Sequence, residues 1–255
     1  MKKFLALLVL TLTAGIFAAG ESAPDPCGAV NETAIRIHLP LKDFTIESKQ
    51  RRHGLCEVIL RVKSRLIPVY AGENFMIAGD LYAYQKKITA ETIETIKKKT
   101  FTEHVPLIEK SVAITYKPKK KSGRTIYFFT DPLCPYCHKA GEDIRKLADR
   151  YGVTLKVLLS SVHGQKGTDK SVEAVCRKFS FSRYNDLKWK TRKSEKKYLC
   201  QRGKDLVASA EKISDSLGID GVPAFYLDNG FFVSGGDMPK IEKELVRLLG
   251  PDKGE

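Results

Sequence analysis

Beyond its first twenty residues the chain has no long apolar run, and nothing in it approaches the roughly twenty consecutive apolar residues that a membrane-spanning helix needs. It also lacks a second C-x-x-C pair, the companion that a four-cysteine zinc site would require. Acidic residues are in the minority, 30 Asp and Glu against 44 Lys and Arg, giving a formal net charge of +14. Yet no nucleic-acid recognition motif accompanies that charge, and nucleic acid is not an expected partner. The basic runs at Lys97-Lys98-Lys99, at 117–121 and at 188–197 therefore read as solvated faces. Weak attraction to anionic lipid headgroups or acidic proteins is the second reading.

What is present begins with an export signal. Met1-Lys2-Lys3, an apolar run from Phe4 to Leu10 and small residues up to Ala18-Ala19-Gly20 form the three parts of a secretory signal peptide. Cleavage is expected after Ala19 or Gly20, so residues 1–20 are assigned to the leader. A membrane anchor is the alternative, but the run is short and ends in small residues. Export places the mature chain in an oxidising compartment where disulfides persist. Six cysteines remain there and fall into three groups: Cys27 with Cys56, Cys134 with Cys137, and Cys176 with Cys200.

Cys134-Pro135-Tyr136-Cys137 carries the strongest chemical signal. It lies between an apolar run, Ile126-Tyr127-Phe128-Phe129-Thr130, and an amphipathic segment over 135–151. In that segment Ala140, Ile144, Leu147, Ala148 and Tyr151 share one helical face, and Gly152 is placed to cap its end. The first cysteine thus opens a helix directly after a strand. Unpaired backbone N–H groups and the positive end of the helix dipole stabilise a thiolate there, and the thiolate is the form that attacks disulfides. Pro135 suits the first turn, where a missing N–H loses nothing. Cys137, one turn on, can reach back to Cys134, which makes the pair a redox dithiol. Three other readings stand beside it: half of a zinc site, a c-type haem anchor completed by His138 as C-x-x-C-H, and a structural disulfide on a helix end.

The remaining chain has a coarse order. From Ala34 to about Tyr84 the pattern is strand-like, with 44–46, 56–62 and 66–70 as short strands separated by Gly54, Gly72 and Gly79. Pro68 inside one of these suggests an edge or bulge. So small a domain is marginal alone and gains from pairing with a second copy or from a disulfide between Cys27 and Cys56. The edges at 66–70 and 75–77 are the expected dimer contacts. A helix is expected from Thr89, as N-cap, through about Glu103, with a further helical turn to Lys110; its sparse stripe of Ile93, Ile96 and Phe101 reads as a connector rather than a core element. Strands follow at 112–116 and, after the dithiol helix, at 154–159; the two strands flanking that helix should pair in parallel. Residues 164–217 form a polar helical insertion, marked by Val172, Val175 and Phe179 and then by Leu206, Ala210 and Ile213. A Cys176–Cys200 bridge would staple it, contributing roughly 3 kcal/mol in the chain-entropy account. Val222-Pro223 leads into a strand ending at Leu227, Asp228-Asn229-Gly230 makes a hairpin turn, 231–234 returns, and Pro239 opens a last helix that Gly250-Pro251 stops.

Strand, C-P-Y-C helix, strand, helical insertion, Val-Pro strand, hairpin and terminal helix form the thioredoxin pattern. With a small exported N-terminal domain and a connector helix, the chain resembles the periplasmic disulfide isomerases of the DsbC/DsbG type. The residues that carry the likeness are Phe129-Thr130-Asp131, Cys134 through Lys139, the Cys176/Cys200 pair, Gly221-Val222-Pro223-Ala224, Ile46-Glu47-Ser48 and Ile77-Ala78-Gly79-Asp80-Leu81-Tyr82. The resemblance implies an α/β fold: a thioredoxin-like catalytic domain over 112–255, a helical linker over 89–111, and a small α+β, cystatin-like dimerisation domain over 21–88. It implies Cys134 as attacking thiolate, Cys137 as resolving thiol, Pro223 as cis-proline, and Val222, Pro223 and Tyr136 as client-binding residues. It further implies a structural Cys176–Cys200 bridge, no metal or cofactor, disulfide-scrambled exported proteins as clients, a homodimer, and a DsbD-like membrane reductase as electron donor. His138 also follows the dithiol in such isomerases. Where that family usually has threonine before the cis-proline, this chain has Val222, as DsbA-like oxidases do. An oxidase and a non-enzymatic client-binding chaperone are the alternative functions. Cys27 and Cys56 have no counterpart in the family pattern.

Overall fold

The computed structural model describes residues 25–251; the signal-peptide expectation for 1–20 falls outside the described residues. Among the described residues no helix is long and apolar enough to cross a membrane. The N-terminal part starts with a helix, α1 (Glu32–His38), against a four-stranded antiparallel sheet. Its strands are β1 (Thr45–Arg52), β2 (Leu55–Val62), β3 (Arg65–Ala71) and β4 (Met76–Ala78), in that spatial order. The α1 segment overturns the strand-like reading of 34–38: Asn31 caps it, its side-chain oxygen accepting the Ala34 N–H at 2.9 Å. Cys27 is bridged to Cys56 of β2, tying the chain before α1 to the sheet.

The edges also differ from expectation. β3 is paired with β2 along its whole length and with β4 only over Val69–Ala71, so the expected edge at 66–70 is covered at Val69 and Tyr70, while 66–68 has no ladder partner on its outer side among the described residues. Val69 is fully buried. Pro68 sits just past the last β4 partner of β3, where its missing N–H interrupts no ladder. Among the described residues the outer strand is β4, where Ile77 is 55% exposed, and Phe75 just before it is 48% exposed.

A ribbon of β5 (Tyr82–Ala83) and β6 (Lys86–Lys87) leads into α2 (Ile88–Lys110), a single helix with Pro106 inside it. Thr89 is not its cap; its hydroxyl accepts the Leu81 N–H at 2.7 Å and contacts the Tyr70 hydroxyl. Nor is α2 a mere connector. Its first turns join a buried polar network, in which Glu57 of β2 accepts from Tyr70 at 2.9 Å and from Thr92 at 2.6 Å. Its second half buries Phe101 and Ile108, seven positions and two turns apart on one face. Phe101 stacks on Tyr226 at 4.6 Å and meets Tyr127 edge-on at 5.5 Å.

Those aromatics belong to a second sheet: β7 (Ile114–Tyr116), β8 (Thr125–Thr130), β9 (Thr154–Leu159), β10 (Ala224–Leu227) and β11 (Phe232–Ser234), ordered β11-β10-β8-β9-β7. β8 and β9 are parallel, with α3 (Pro135–Tyr151) as the crossover between them; the other pairs are antiparallel. Alternation along β8 sends Ile126 and Phe128 to one face, against α3 and α7 (Met238–Leu249), and Tyr127 and Phe129 to the other, against α2 and α6 (Gln201–Ser216). The architecture is a thioredoxin-like α/β domain preceded by a small α+β unit.

The insertion between β9 and β10 holds α4 (Gly164–Cys176), α5 (Phe181–Asn185), two short 3-10 turns (Leu187–Trp189 and Lys196–Tyr198) and α6. Cys176 at the end of α4 is bridged to Cys200 at the start of α6. Phe179 lies beyond α4 rather than in it, packed edge-on to Trp189 at 4.9 Å. Gly203 is what lets α6 approach so closely: a Cβ there would stand 2.6 Å from the Cys176 sulfur and 3.0 Å from the Val172 carbonyl oxygen. Neither neighbour can give way, so Gly203→Ala should cost about 1–3 kcal/mol, read as a lower denaturant midpoint with unchanged slope. An unchanged midpoint would show that the helices can part freely.

The basic runs are not uniformly solvated. The Lys97 ammonium lies 4.2 Å from the Phe232 ring centroid, where burial lowers its pKa. Lys190, inside the 188–197 run, is only 8% exposed.

Candidate active site

The end of β8 turns sharply at Asp131. Asp131 Oδ1 accepts the Leu133 N–H at 2.6 Å, and its main-chain oxygen accepts the Cys134 N–H at 3.2 Å. That turn delivers Cys134 in extended backbone to the N-cap of α3, with Pro135 in the first turn. The Cys134 sulfur accepts the Cys137 N–H at 3.3 Å, taking up one of the donors that a helix N-terminus leaves free. Both thiols are free and buried, Cys134 at 6% and Cys137 at 2% exposure. Burial pushes the Cys137 thiol far up, and the neighbouring Cys134 sulfur adds to that, against smaller opposing bonds from Asp131 and Thr130. Cys137 is thus held as a thiol, while Cys134 sits where the helix end favours negative charge.

Across from the dithiol lies the Val222–Pro223 peptide, which is cis. The Val222 carbonyl oxygen is 3.7 Å from the Cys134 sulfur. The pairing of Ala224 with Phe129 at the end of β8 brings this segment there, and the Pro223 oxygen accepts the Gly235 N–H at 2.8 Å. Tyr136, at 79% exposure, stands out from the motif into solvent. Cys134, Cys137, Val222 and Pro223 therefore meet at one place, with Tyr136 beside them, whereas Cys176 and Cys200 close the insertion and Cys27 and Cys56 close the N-terminal unit. With Cys176 and Cys200 bonded to each other, neither is available to complete a zinc site with the dithiol. His138 Nε2 faces Glu142 at 3.8 Å, one turn along α3.

Sequence reasoning missed the depth of two groups here. Asp131 is fully buried, and its Oδ2 accepts from the Ser161 hydroxyl, the N–H groups of Val162 and His163, and His163 Nδ1, at 2.8 to 3.2 Å. Its place in Phe129-Thr130-Asp131 was the only available signal. Lys190 gave none. Behind the motif, Tyr184 of α5 is buried with its hydroxyl 3.0 Å from Thr130 Oγ1, and the Lys190 ammonium lies 5.1 Å from its ring centroid.

A buried cysteine pair at the start of the helix following a central parallel strand, faced by a cis-proline, makes a thiol–disulfide exchange centre. The thioredoxin-like domain family matches residues 110–246, more than half of the sequence, and the chain belongs to that family. It is a thiol–disulfide oxidoreductase, and within the class it is similar to the DsbC and DsbG type. The thiol:disulfide interchange protein DsbC of Escherichia coli strain K12 is 28% identical over 248 residues, 96% of each chain. DsbG of Pseudomonas aeruginosa is 23% identical over 255 residues, covering 97% of this chain and 96% of that one. Among solved structures, the thiol-disulfide exchange protein alpha-DsbA2 from Wolbachia pipientis superposes with a TM-score of 0.52 at 13% identity, covering 62% of this chain and 98% of that chain. That likeness concerns the fold alone.

Proposed function

We propose that the protein is an exported thiol:disulfide interchange protein that isomerises or reduces incorrect disulfides in client proteins, acting as a homodimer in the periplasm. The Cys134 thiolate attacks a client disulfide: a Cys134–client bond forms, the client bond breaks, and one client sulfur leaves as thiolate. If another client thiol then attacks the mixed disulfide, the client is isomerised and Cys134 returns with no net redox change. If Cys137 attacks instead, a Cys134–Cys137 disulfide forms and the client leaves reduced by two electrons. The second route needs a donor, for which a DsbD-like membrane reductase is suited. The backbone of Val222 and Pro223 pairs with the client chain beside the sulfur, and exposed Tyr136 borders it.

One observation carries the isomerase reading: the likeness to DsbC and DsbG runs through the N-terminal unit, whose outer strand β4, unpaired on its far side among the described residues, exposes Ile77 with Phe75 just before it. An open apolar edge is a template for pairing with a second copy, and two-fold pairing closes the assembly. Val222 beside the dithiol favours the oxidase as second reading; a chaperone acting without its dithiol is the third.

Ile77→Asp tests the proposal at its edge. The variant should be monomeric by light scattering at micromolar concentration and should reduce insulin at nearly the wild-type rate. Repair of scrambled ribonuclease should fall by about tenfold or more, because a two-armed grip is lost. A monomeric wild type, or equal repair by both forms, would remove the dimeric isomerase; rapid oxidation of reduced ribonuclease by the wild type would favour the oxidase.

A further inference from the structure

The loop after β9 carries one ionisable side chain that is hydrogen-bonded to the buried carboxylate shaping the dithiol turn. The Ser160 N–H continues the β8–β9 ladder, meeting the Thr130 oxygen at 3.0 Å, and the chain then folds back over Asp131. Asp131 Oδ2 collects the Val162 and His163 N–H groups, the Ser161 hydroxyl and His163 Nδ1, the last at 2.9 Å. Asp131 also holds the turn itself, through the Leu133 N–H at Oδ1 and the Cys134 N–H at its main-chain oxygen. Of the five donors to the carboxylate, only the His163 ring can bring a positive charge. An ionised carboxylate only accepts, so Nδ1 carries a hydrogen and Nε2 is left to gain or lose one. The His163 side chain is 41% exposed while Asp131 is fully buried, so the ring reaches from solvent to the carboxylate. Packing around this bond is tight: a Cβ on Gly167 would stand 2.2 Å from Ser161 Oγ and 3.1 Å from His163 Cβ.

We propose that His163 is a positioning residue for the attack by Cys134, an imidazole that fixes Asp131 in the dithiol turn and offsets its buried charge. In that attack the Cys134 sulfur bonds one client sulfur, and the other client sulfur leaves with the electron pair; His163 exchanges no proton with either. The line of contact is short, from ring to carboxylate and from Asp131 to the Leu133 and Cys134 N–H groups. Two effects travel along it. The Nδ1–H bond holds the carboxylate in one orientation, and with it the turn that sets Cys134 at the helix N-terminus. A thiolate at Cys134 also forms in the field of the Asp131 charge, and a positive ring weakens that repulsion. Imidazole changes its charge between pH 5 and 8, so the second effect belongs to the acid side of that range, whereas the first needs only the hydrogen on Nδ1. Other titratable groups surround the pair. Cys134 and Cys137 face it from α3, Tyr184 and Lys190 share the field of Asp131 and both thiols, and Glu211 of α6 accepts the Ser161 N–H at 3.4 Å. Among the described residues none of these hydrogen-bonds the Asp131 carboxylate, so His163 is the titrating group in direct contact with it.

The proposal rests on Cys134 being the attacking thiol, and its test reads that point separately. The reduced full chain is alkylated with iodoacetamide from pH 5.5 to 8, the modified residue is identified by peptide mass mapping, and rates are taken per folded molecule. Modification of Cys137 in place of Cys134 would remove the nucleophile and this proposal with it; with Cys134 modified, the variants at His163 decide. His163→Asn keeps an N–H₂ near the place of Nδ1 and should stay within about twofold of wild type at pH 8. His163→Gln, whose amide stands nearer the place of Nε2, should be about fivefold slower there, as for one lost hydrogen bond. At pH 5.5 His163→Asn should also fall about fivefold behind wild type, because it keeps the donor but carries no charge. If His163→Gln does not fold, His163→Ala carries the same arm. Ring nitrogen shifts of the wild type at pH 8, read by NMR, should place the hydrogen on Nδ1. A ring hydrogen on Nε2 with Nδ1 bare, equal rates for Asn and Gln at pH 8, or an Asn profile parallel to wild type down to pH 5.5 would each overturn the proposal.

Discussion

Cys134→Ser should lose insulin reduction and scrambled-disulfide repair together, by about three orders of magnitude or more, as expected when an enzyme loses its attacking group. Cys137→Ser should behave differently: it should still attack, then stall, and accumulate mixed disulfides with client proteins. The asymmetry follows from where the two sulfurs lie. Cys134 takes the N-cap of α3 and accepts the Cys137 N–H at 3.3 Å, so negative charge there meets an oriented donor. Cys137 is 2% exposed and burial holds its proton on, so it reacts only after Cys134 has brought a disulfide to it. In the wild-type dithiol, iodoacetamide at neutral pH should modify Cys134 first. Equal alkylation rates for the two thiols would sink this assignment. A Cys134→Ser protein that kept its full effect on refolding would instead make client binding the activity. Mass spectrometry of the species trapped by Cys137→Ser identifies the clients.

Much of this site could be read before any coordinates, for physical reasons that differ by element. The dithiol helix was legible because its apolar positions recur at 3.6 residues and Gly152 ends it with φ +67, a conformation that glycine adopts without strain. The β10–β11 hairpin was legible because Asp228-Asn229-Gly230 is turn chemistry: Gly230 has φ 82, and Asp228 accepts the Thr125 N–H at 2.9 Å. The role of α2 was not, since only Phe101 and Ile108 of its second half are buried and two residues make no stripe. Its first half is held by hydroxyls and a carboxylate, Thr89 and Thr92 against Tyr70 and Glu57, which hydrophobic periodicity does not register. The interior position of β3 was hidden for another reason: an edge strand and an inner strand of an antiparallel sheet share the same alternation, and only the pairing with β4 tells them apart. Lys190 is the extreme case, a residue whose type and basic neighbours both point to solvent.

Asp131→Ala should destabilise the protein by about 3–5 kcal/mol, the cost of opening a buried charged network from one side. Asp131 is fully buried and accepts five hydrogen bonds, from the N–H groups of Leu133, Val162 and His163, the Ser161 hydroxyl and His163 Nδ1. Alanine would leave those part-buried donors in a space that one carboxylate filled, and each one that water does not reach costs about 1–3 kcal/mol before relaxation. The site is also packed too closely to rearrange freely, because a Cβ on Gly167 would already stand 3.0 Å from Asp131 Oδ2. The loss should reach the chemistry as well, since the same residue fixes the turn that places Cys134 at the helix N-terminus through the Leu133 and Cys134 N–H groups. Asp131→Asn separates the two effects. It keeps the shape but sets an N–H₂ against convergent donors at one oxygen position, so its stability should fall between wild type and alanine. Denaturant unfolding at pH 7, beside the rate of insulin reduction per folded molecule, reads both quantities. A loss below about 1 kcal/mol for Asp131→Ala would mean that water replaces the carboxylate without penalty, and that the turn before Cys134 is held by its backbone alone.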